Sequence, residues 1–207
     1  YEITTRLVGS EMCIRDRVGC TSSQERRILV VHSYEETYTA YPEFNRLIAK
    51  QFKKEGVNAD IRTLYLDCES YKEETELKRM RYLLDSVSGD WRPEVILVNE
   101  DQATYSLLKC GDPLVKEVPV VFAGVNYPNW ELLKQYPNAT GFHDKIGFVQ
   151  NAEMARKLFG DSVRLFTLLD STFLDVQIRK DARKQLAGHR VTGFMDYPDI
   201  PSCLLYT

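Results

Sequence analysis

The chain has 207 residues, a net charge of −3 and 43% hydrophobic residues, enough for one or two domains with real cores. The mild negative charge argues against nucleic acid as a partner, because neutralising phosphates needs a basic face. No apolar run approaches the roughly 18–20 residues needed to cross a bilayer.

The two ends differ from the middle. Ser10-Glu11-Met12-Cys13-Ile14-Arg15-Asp16-Arg17 resembles a translated sequencing adapter, and Ser202–Thr207 resembles the adapter from the other side. Residues 1–25 are therefore expected to be an adapter-like and linker segment, and residues 200–207 an adapter-like tail. Within the first segment, Val18-Gly19-Cys20-Thr21-Ser22-Ser23 looks like the end of a bacterial lipoprotein signal, which makes Cys20 a candidate for lipidation. Setting aside the adapter-like residues 1–17 and 201–207 leaves Cys20, Cys68 and Cys110, with no zinc spacing and no CxxC pair.

From Arg26 the pattern is regular. Ile28–Val31 is a short β-branched run that predicts a strand buried on both faces. Tyr41, Phe44, Leu47, Ile48 and Phe52 then recur at helical spacing, with Pro42 in the first turn and Gly56 as a stop. Ala59–Asp67 reads as a strand, and Ser70-x-x-Glu73 as a capping box opening a helix with Leu77, Met80, Leu83, Leu84 and Val87 as its stripe. Val95–Val98 is the next strand. Asp101 is expected to cap a helix with Ala103, Leu107 and Leu108 inward. Val118–Phe122 is the fourth strand, and Asn129 caps a short helix.

Near Ala139–Asp144 the rhythm changes to a short extended piece. A helix with Phe148, Ala152, Ala155 and Phe159 on one side follows, then a strand at Leu165–Leu169. Next come a helix with Leu174, Ile178, Ala182 and Leu186, and a strand at Val191–Met195. Strands alternating with helices predict an α/β fold, a doubly wound, Rossmann-like parallel sheet. Its first lobe is placed at residues 26–143, and an incomplete second α/β lobe at residues 144–199.

In an open parallel sheet, ligands bind beyond the carboxyl ends of the strands. Those loops carry Ser33, Tyr34 and Glu36 after the first strand, Glu69 after the second, and Asn99 and Asp101 after the third. Gly124, Asn126 and Tyr127 follow the fourth, and Asp170 and Thr172 the strand of the second lobe. These are the predicted ligand-binding residues. No loop reads GxGxxG or GxxxxGK[ST], and no Lys or Arg stands among the residues singled out, so neither a dinucleotide, an NTP nor a strongly anionic ligand is indicated. Carboxylates, amides and tyrosines suit a small polar solute, amino-acid-like or sugar-like, with an ammonium group or several hydroxyls and with rings available for stacking. No cofactor, metal or catalytic residue is expected. His32, His143 and His189 show no HxxxH or HExxH spacing, and His32 and Ser33, as strand neighbours, point to opposite faces. The competing expectation is a metal-assisted enzyme on a flavodoxin-like scaffold using Glu100 and Asp101; a third is an interaction domain with no small ligand.

The runs Ile28–Tyr34, Val95–Asp101 and above all Val118-Pro119-Val120-Val121-Phe122-Ala123-Gly124-Val125-Asn126 resemble the periplasmic substrate-binding proteins of ABC transporters, of the type I binding fold, including members that bind aromatic amino acids. In that family a run like Phe122–Val125 is followed by a small polar residue and Asp-Pro; here Asn126-Tyr127-Pro128 follows. His32–Glu35 and Val125–Trp130 are also similar to the extracytoplasmic sensor regions of hybrid histidine kinases in gut-type bacteria. Across residues 27–199 the resemblance implies two lobes closing on a solute and a periplasmic or membrane-anchored location. It also implies either a permease or a downstream kinase module as partner.

Overall fold

The computed structural model describes residues 24–161, 169 and 173–188. These fall into two compact units, one ending at Asp144 and the other beginning at Lys145. The first unit is built on a five-stranded sheet in the order β2-β1-β3-β4-β5. The strands are β1 (Arg26–His32), β2 (Ala59–Tyr65), β3 (Val95–Asn99), β4 (Val120–Val125) and β5 (Ala139–His143). Every neighbouring pair is parallel. Parallel pairing requires crossovers, supplied by α1 (Tyr41–Lys54), α2 (Glu73–Ser88), α3 (Asp101–Lys109), α4 (Leu114–Glu117) and α5 (Trp130–Leu133).

Strand side chains alternate between faces, and the burial follows that period. Leu29, Val31, Leu64, Leu66, Ile96, Val98, Val120 and Phe122 form one face, packed against Met80 and Leu84 of α2 and Ala103, Leu107 and Leu108 of α3. On the opposite face His32 meets Tyr41 and Phe44 of α1. Helices thus lie on both sides, as expected for a doubly wound sheet. Cys68 and Cys110 are both free thiols.

Four expectations need correction. The Ser70/Glu73 capping box does not form: Lys72 is the N-cap of α2 and makes no side-chain cap bond. Asp67 instead sits at φ 56°, turning the chain so that the Ser70 hydroxyl donates to its Oδ1 at 2.8 Å. Second, the α1 stripe is only partly inward, with Phe44 37% and Leu47 47% exposed. Third, the short extended piece at Ala139–His143 belongs to the sheet as its fifth strand. Gly141 lies so close to β4 that a Cβ there would stand 2.1 Å from the Phe122 carbonyl oxygen. Fourth, α4 was not foreseen; four residues are too few to show a helical period.

The second unit contains α6 (Phe148–Phe159) and α7 (Phe173–Gln185). Ala152, Ala182 and Leu186 are buried, but Phe159, placed on the same stripe by sequence, is exposed at the end of α6. Gln185 ties the unit together, donating to the Ile146 carbonyl at 2.9 Å and accepting from the Phe148 amide at 3.2 Å. The strands expected at 165–169 and 191–195 lie outside the described residues, Leu169 excepted.

Candidate functional site

Because all five strands run the same way, their carboxyl ends share one rim. The order β2-β1-β3 places the chain reversal between β1 and β3, the position at which open α/β sheets bind their ligands. The turns after His32, Asn99 and Val125 are therefore neighbours.

The floor of this rim is a sealed polar network. Ser33 is fully buried; its hydroxyl donates to the Asn99 carbonyl and accepts from the Ala103 amide, both at 2.9 Å. It thereby clamps the β3 end to the first turn of α3. The Asn99 amide is 3.0 Å from His32 Nδ1, and His32 Nε2 is 2.8 Å from Asn45 Oδ1. The Asn45 amide donates in turn to the Tyr65 hydroxyl at 3.3 Å, so its oxygen faces the imidazole. Hence Nε2 carries the proton and donates, while Nδ1 accepts: a neutral imidazole serving as a structural bridge. Burial holds its pKa below 6.5, opposed by the Asn45 bond. The Ser33 hydroxyl is committed to the Asn99 carbonyl and the Ala103 amide, so these two neighbours form no catalytic dyad.

Asp101 departs from its predicted capping role. Glu100 is the N-cap of α3 and Asp101 the first helical residue. The Asp101 carboxylate, 1% exposed, accepts the backbone amides of Asn126 (2.9 Å) and Tyr127 (3.0 Å), the Asn126 side-chain amide and the Tyr105 hydroxyl. The Tyr105 hydroxyl also donates to the Tyr127 carbonyl. Asp101 thus fastens the β4 loop to α3. Ser33, Asn99 and Asp101, predicted to touch ligand, have side chains that are buried and engaged; they brace the rim rather than line it.

Glu100 lines the rim, and the sequence list of ligand-binding residues omits it. Its backbone sits at φ 73°, ψ 170°, a region essentially reserved for glycine. Two contacts hold it there. Its amide donates to the Ala123 carbonyl at 2.7 Å, and its carboxylate accepts the Tyr41 hydroxyl at 2.8 Å. Gly124, at φ 68°, passes beside it; a Cβ there would meet Glu100 Cγ at an ordinary 3.6 Å, so only the backbone angle favours glycine. Burial pushes the Glu100 carboxyl above the usual carboxylate range, with Asp101 adding in the same direction and the hydrogen bond from Tyr41 opposing.

Above the floor stand three tyrosines. Tyr41, buried, stacks on His32 with centroids 3.8 Å apart. Tyr38 lies 4.9 Å from Tyr41 and 4.8 Å from Tyr34, and is 38% exposed. The Tyr34 amide donates to the Tyr41 hydroxyl at 3.0 Å, fixing the turn. Burial raises the Tyr34 hydroxyl pKa, and the charges that add to this are Glu100, Cys68, Glu69 and Tyr38. Glu36 adds likewise to the shift on Tyr65, after burial. Of the predicted residues, the structure therefore brings Tyr34, Glu36, Glu69, Gly124, Asn126 and Tyr127 to one rim. Asp170 and Thr172 lie outside the described residues, as does Cys20.

No protein-family model matches the chain, and no curated protein matches it in sequence. Solved structures do match. A conserved domain protein from Vibrio cholerae has a TM-score of 0.66 at 15% identity, over 84% of this chain and 57% of its own. An ABC domain in complex with L-Trp from Streptococcus pneumoniae scores 0.61 at 16% identity, with the same coverage. A solute-binding protein of an ABC transporter from Rhodopseudomonas palustris, in complex with 3,4-dihydroxybenzoic acid, scores 0.54 at 10% identity, over 84% and 47%. The chain spans about half the length of these neighbours. At such identities the likeness is one of fold, and the fold of this chain is periplasmic-binding-protein-like: an all-parallel α/β sheet flanked by helices.

Proposed function

We propose that this chain is an extracytoplasmic small-solute-binding domain of the ABC substrate-binding type, and not an enzyme. The observation that carries the reading is the rim itself. A buried hydrogen-bonded floor of Ser33, Asn99, His32 and Asp101 supports an outward layer of Tyr34, Tyr38, Glu100, Asn126 and Tyr127 beyond the carboxyl ends of β1, β3 and β4. Rigid support beneath an adaptable polar and aromatic surface suits recognition of a small solute. The metal-assisted alternative finds little to build on. Among the described residues no group of three His, Cys, Asp or Glu side chains is placed to hold an ion, and Glu100 and Asp101 turn to different partners.

The solute is delivered either to a membrane permease or, as the sensor region of a two-component hybrid histidine kinase, reported to a downstream kinase module. The wording at His32–Glu35 and Val125–Trp130 favours the sensor. The uninterrupted gene decides between them: a membrane helix followed by a kinase, or an adjacent permease. Binding itself is tested by thermal melting with Mg²⁺, with pooled amino acids and amines, and with pooled sugars. A solute that binds the native state raises Tm. A shift with a solute pool and none with Mg²⁺ is expected; a shift with Mg²⁺ alone, or none with any pool, overturns the reading.

A further inference from the structure

The floor beneath the rim contains a basic nitrogen that faces a donor. His32 is fully buried and held at both ring nitrogens. Because the Asn45 amide nitrogen donates to the Tyr65 hydroxyl, its Oδ1 fixes the imidazole proton on Nε2. Nδ1 is then the one site on the ring that can take up a proton, and there it accepts from the Asn99 amide at 3.0 Å. A proton on Nδ1 makes that acceptor a second donor, so two N–H groups confront each other. Asn99 can meet the new N–H only by reversing its side-chain amide, which exchanges the places of its oxygen and its NH₂. Asn99 ends β3, its backbone carbonyl holds the Ser33 hydroxyl, and the strained Glu100 follows it directly.

The titratable groups facing the ring are phenols: Tyr41 from α1, stacked at 3.8 Å, and Tyr65 from β2, at 5.5 Å. Burial pushes both above the ordinary tyrosine value, so both stay neutral where an imidazole titrates. Phe44 offers only a ring edge, and the Glu100 carboxylate takes the Tyr41 hydroxyl. An imidazolium here would therefore be buried between aromatic rings without an anion bonded to it.

We propose that His32 makes the rim proton-sensitive: one solvent proton taken up at Nδ1 reverses the Asn99 amide and loosens the β1–β3 junction beneath Tyr34 and Glu100, and, on the solute-binding reading, weakens solute binding as pH falls. Burial holds the His32 pKa below 6.5, so the switch acts on the acid side of that value. Proton and solute then oppose each other reciprocally: the proton lowers affinity by at most about tenfold per pH unit, and bound solute lowers the His32 midpoint in turn.

The proton itself is the probe, so the test needs no solute. The isotopically labelled chain is followed by NMR from about pH 7.5 to about pH 4.5. At the upper end the His32 ring is expected as the Nε2–H tautomer. On acidification it should titrate with a midpoint below 6.5. The Asn99 side-chain amide and the backbone amides of Ser33, Tyr34 and Glu100 should move with that same midpoint, while Arg26, Ala59 and Val95 stay in place. His32→Gln, which takes up no proton, should lack this transition. Asn99→Asp, whose carboxylate accepts from Nδ1–H, should raise the midpoint by about a unit or more. An Nδ1–H tautomer at pH 7.5, a His32 titration that leaves the rim amides still, or unfolding before His32 takes up its proton overturns the proposal. So does the same rim transition in His32→Gln, or an unmoved midpoint in a folded Asn99→Asp. Solute binding is read separately: the Tm rise given by an active solute pool should shrink between pH 7.5 and 5.5, and a rise undiminished at pH 5.5 refutes the link to binding. If no pool shifts Tm at either pH, the solute-binding reading fails while the proton switch in the floor is judged by the NMR titration alone.

Discussion

Glu100 offers a way to separate strain from function. At φ 73°, ψ 170° a residue with a Cβ is strained by about 1–3 kcal/mol, whereas glycine is not. At an ordinary extended position Ala is the more stable of the two by about 0.4–1 kcal/mol, because glycine loses more backbone entropy. Both Glu100→Ala and Glu100→Gly delete the hydrogen bond from Tyr41, so comparing them cancels that loss. At the middle of these ranges, a strain of about 2 less an entropy cost of about 0.7, Glu100→Gly is therefore expected to be the more stable variant by about 1.3 kcal/mol. For a chain of this size that corresponds to a Tm difference of roughly 3–5 °C. Urea unfolding followed by circular dichroism, with calorimetry as a check, measures it. Both variants should lose solute binding. If Ala matches or exceeds Gly in stability, the strained conformation is not a property of the molecule and the argument for Glu100 as an imposed functional residue fails.

Other consequences follow from the floor and the sheet. Asp101→Ala leaves two part-buried backbone amides without their acceptor, at about 1–3 kcal/mol each, so a loss of about 2–6 kcal/mol is expected; a loss under about 1 kcal/mol would show that the β4 loop is held by something else. Gly141→Ala places a Cβ into the Phe122 carbonyl and ring, and calorimetry should register at least about 1–3 kcal/mol of destabilisation; parental stability would mean β5 is not paired as described. His32 has a folded pKa below its unfolded value of 6.5, so the unfolded chain takes up the proton first. Stability should then be intact above about pH 6.5 and fall below it through the folded value, by at most about 1.4 kcal/mol per pH unit. The buried carboxyls Glu76 and Glu100, shifted up mainly by burial, act with the opposite sign, favouring the folded state as pH falls. His32→Gln removes only the histidine contribution. Its urea midpoint should fall less steeply between pH 7.5 and 5.5, and an unchanged slope would refute the neutral buried imidazole.

The fold was readable because each central strand is a short β-branched run and the intervening stripes have a helical period. β5 was obscured: Ala139, Thr140 and Gly141 show no apolar run, and the glycine that looks like a break is what lets the strand approach Phe122. The site was readable as a location, since parallel strands place their carboxyl ends together whatever the sequence of the loops. The roles within it were not. Ser33, Asn99 and Asp101 are polar residues in the right loops, yet their partners, Ala103, His32 and the Asn126–Tyr127 backbone, are set by tertiary register that no local pattern encodes. Glu100 entered only through the metal-assisted alternative, because nothing in a Glu-Asp pair announces a glycine-only backbone angle. The one available signal was Gly124, a glycine in the adjoining loop that passes beside the glutamate.

The most direct test of the central claim is amide chemical-shift mapping of the labelled chain titrated with the solute that raises its Tm. Solute at the carboxyl rim should move Tyr34, Glu36, Glu100, Gly124 and Tyr127 and leave Arg26, Ala59 and Val95, at the opposite strand ends, in place. Movement confined to those opposite ends, or spread evenly with no focus at the rim, would contradict it.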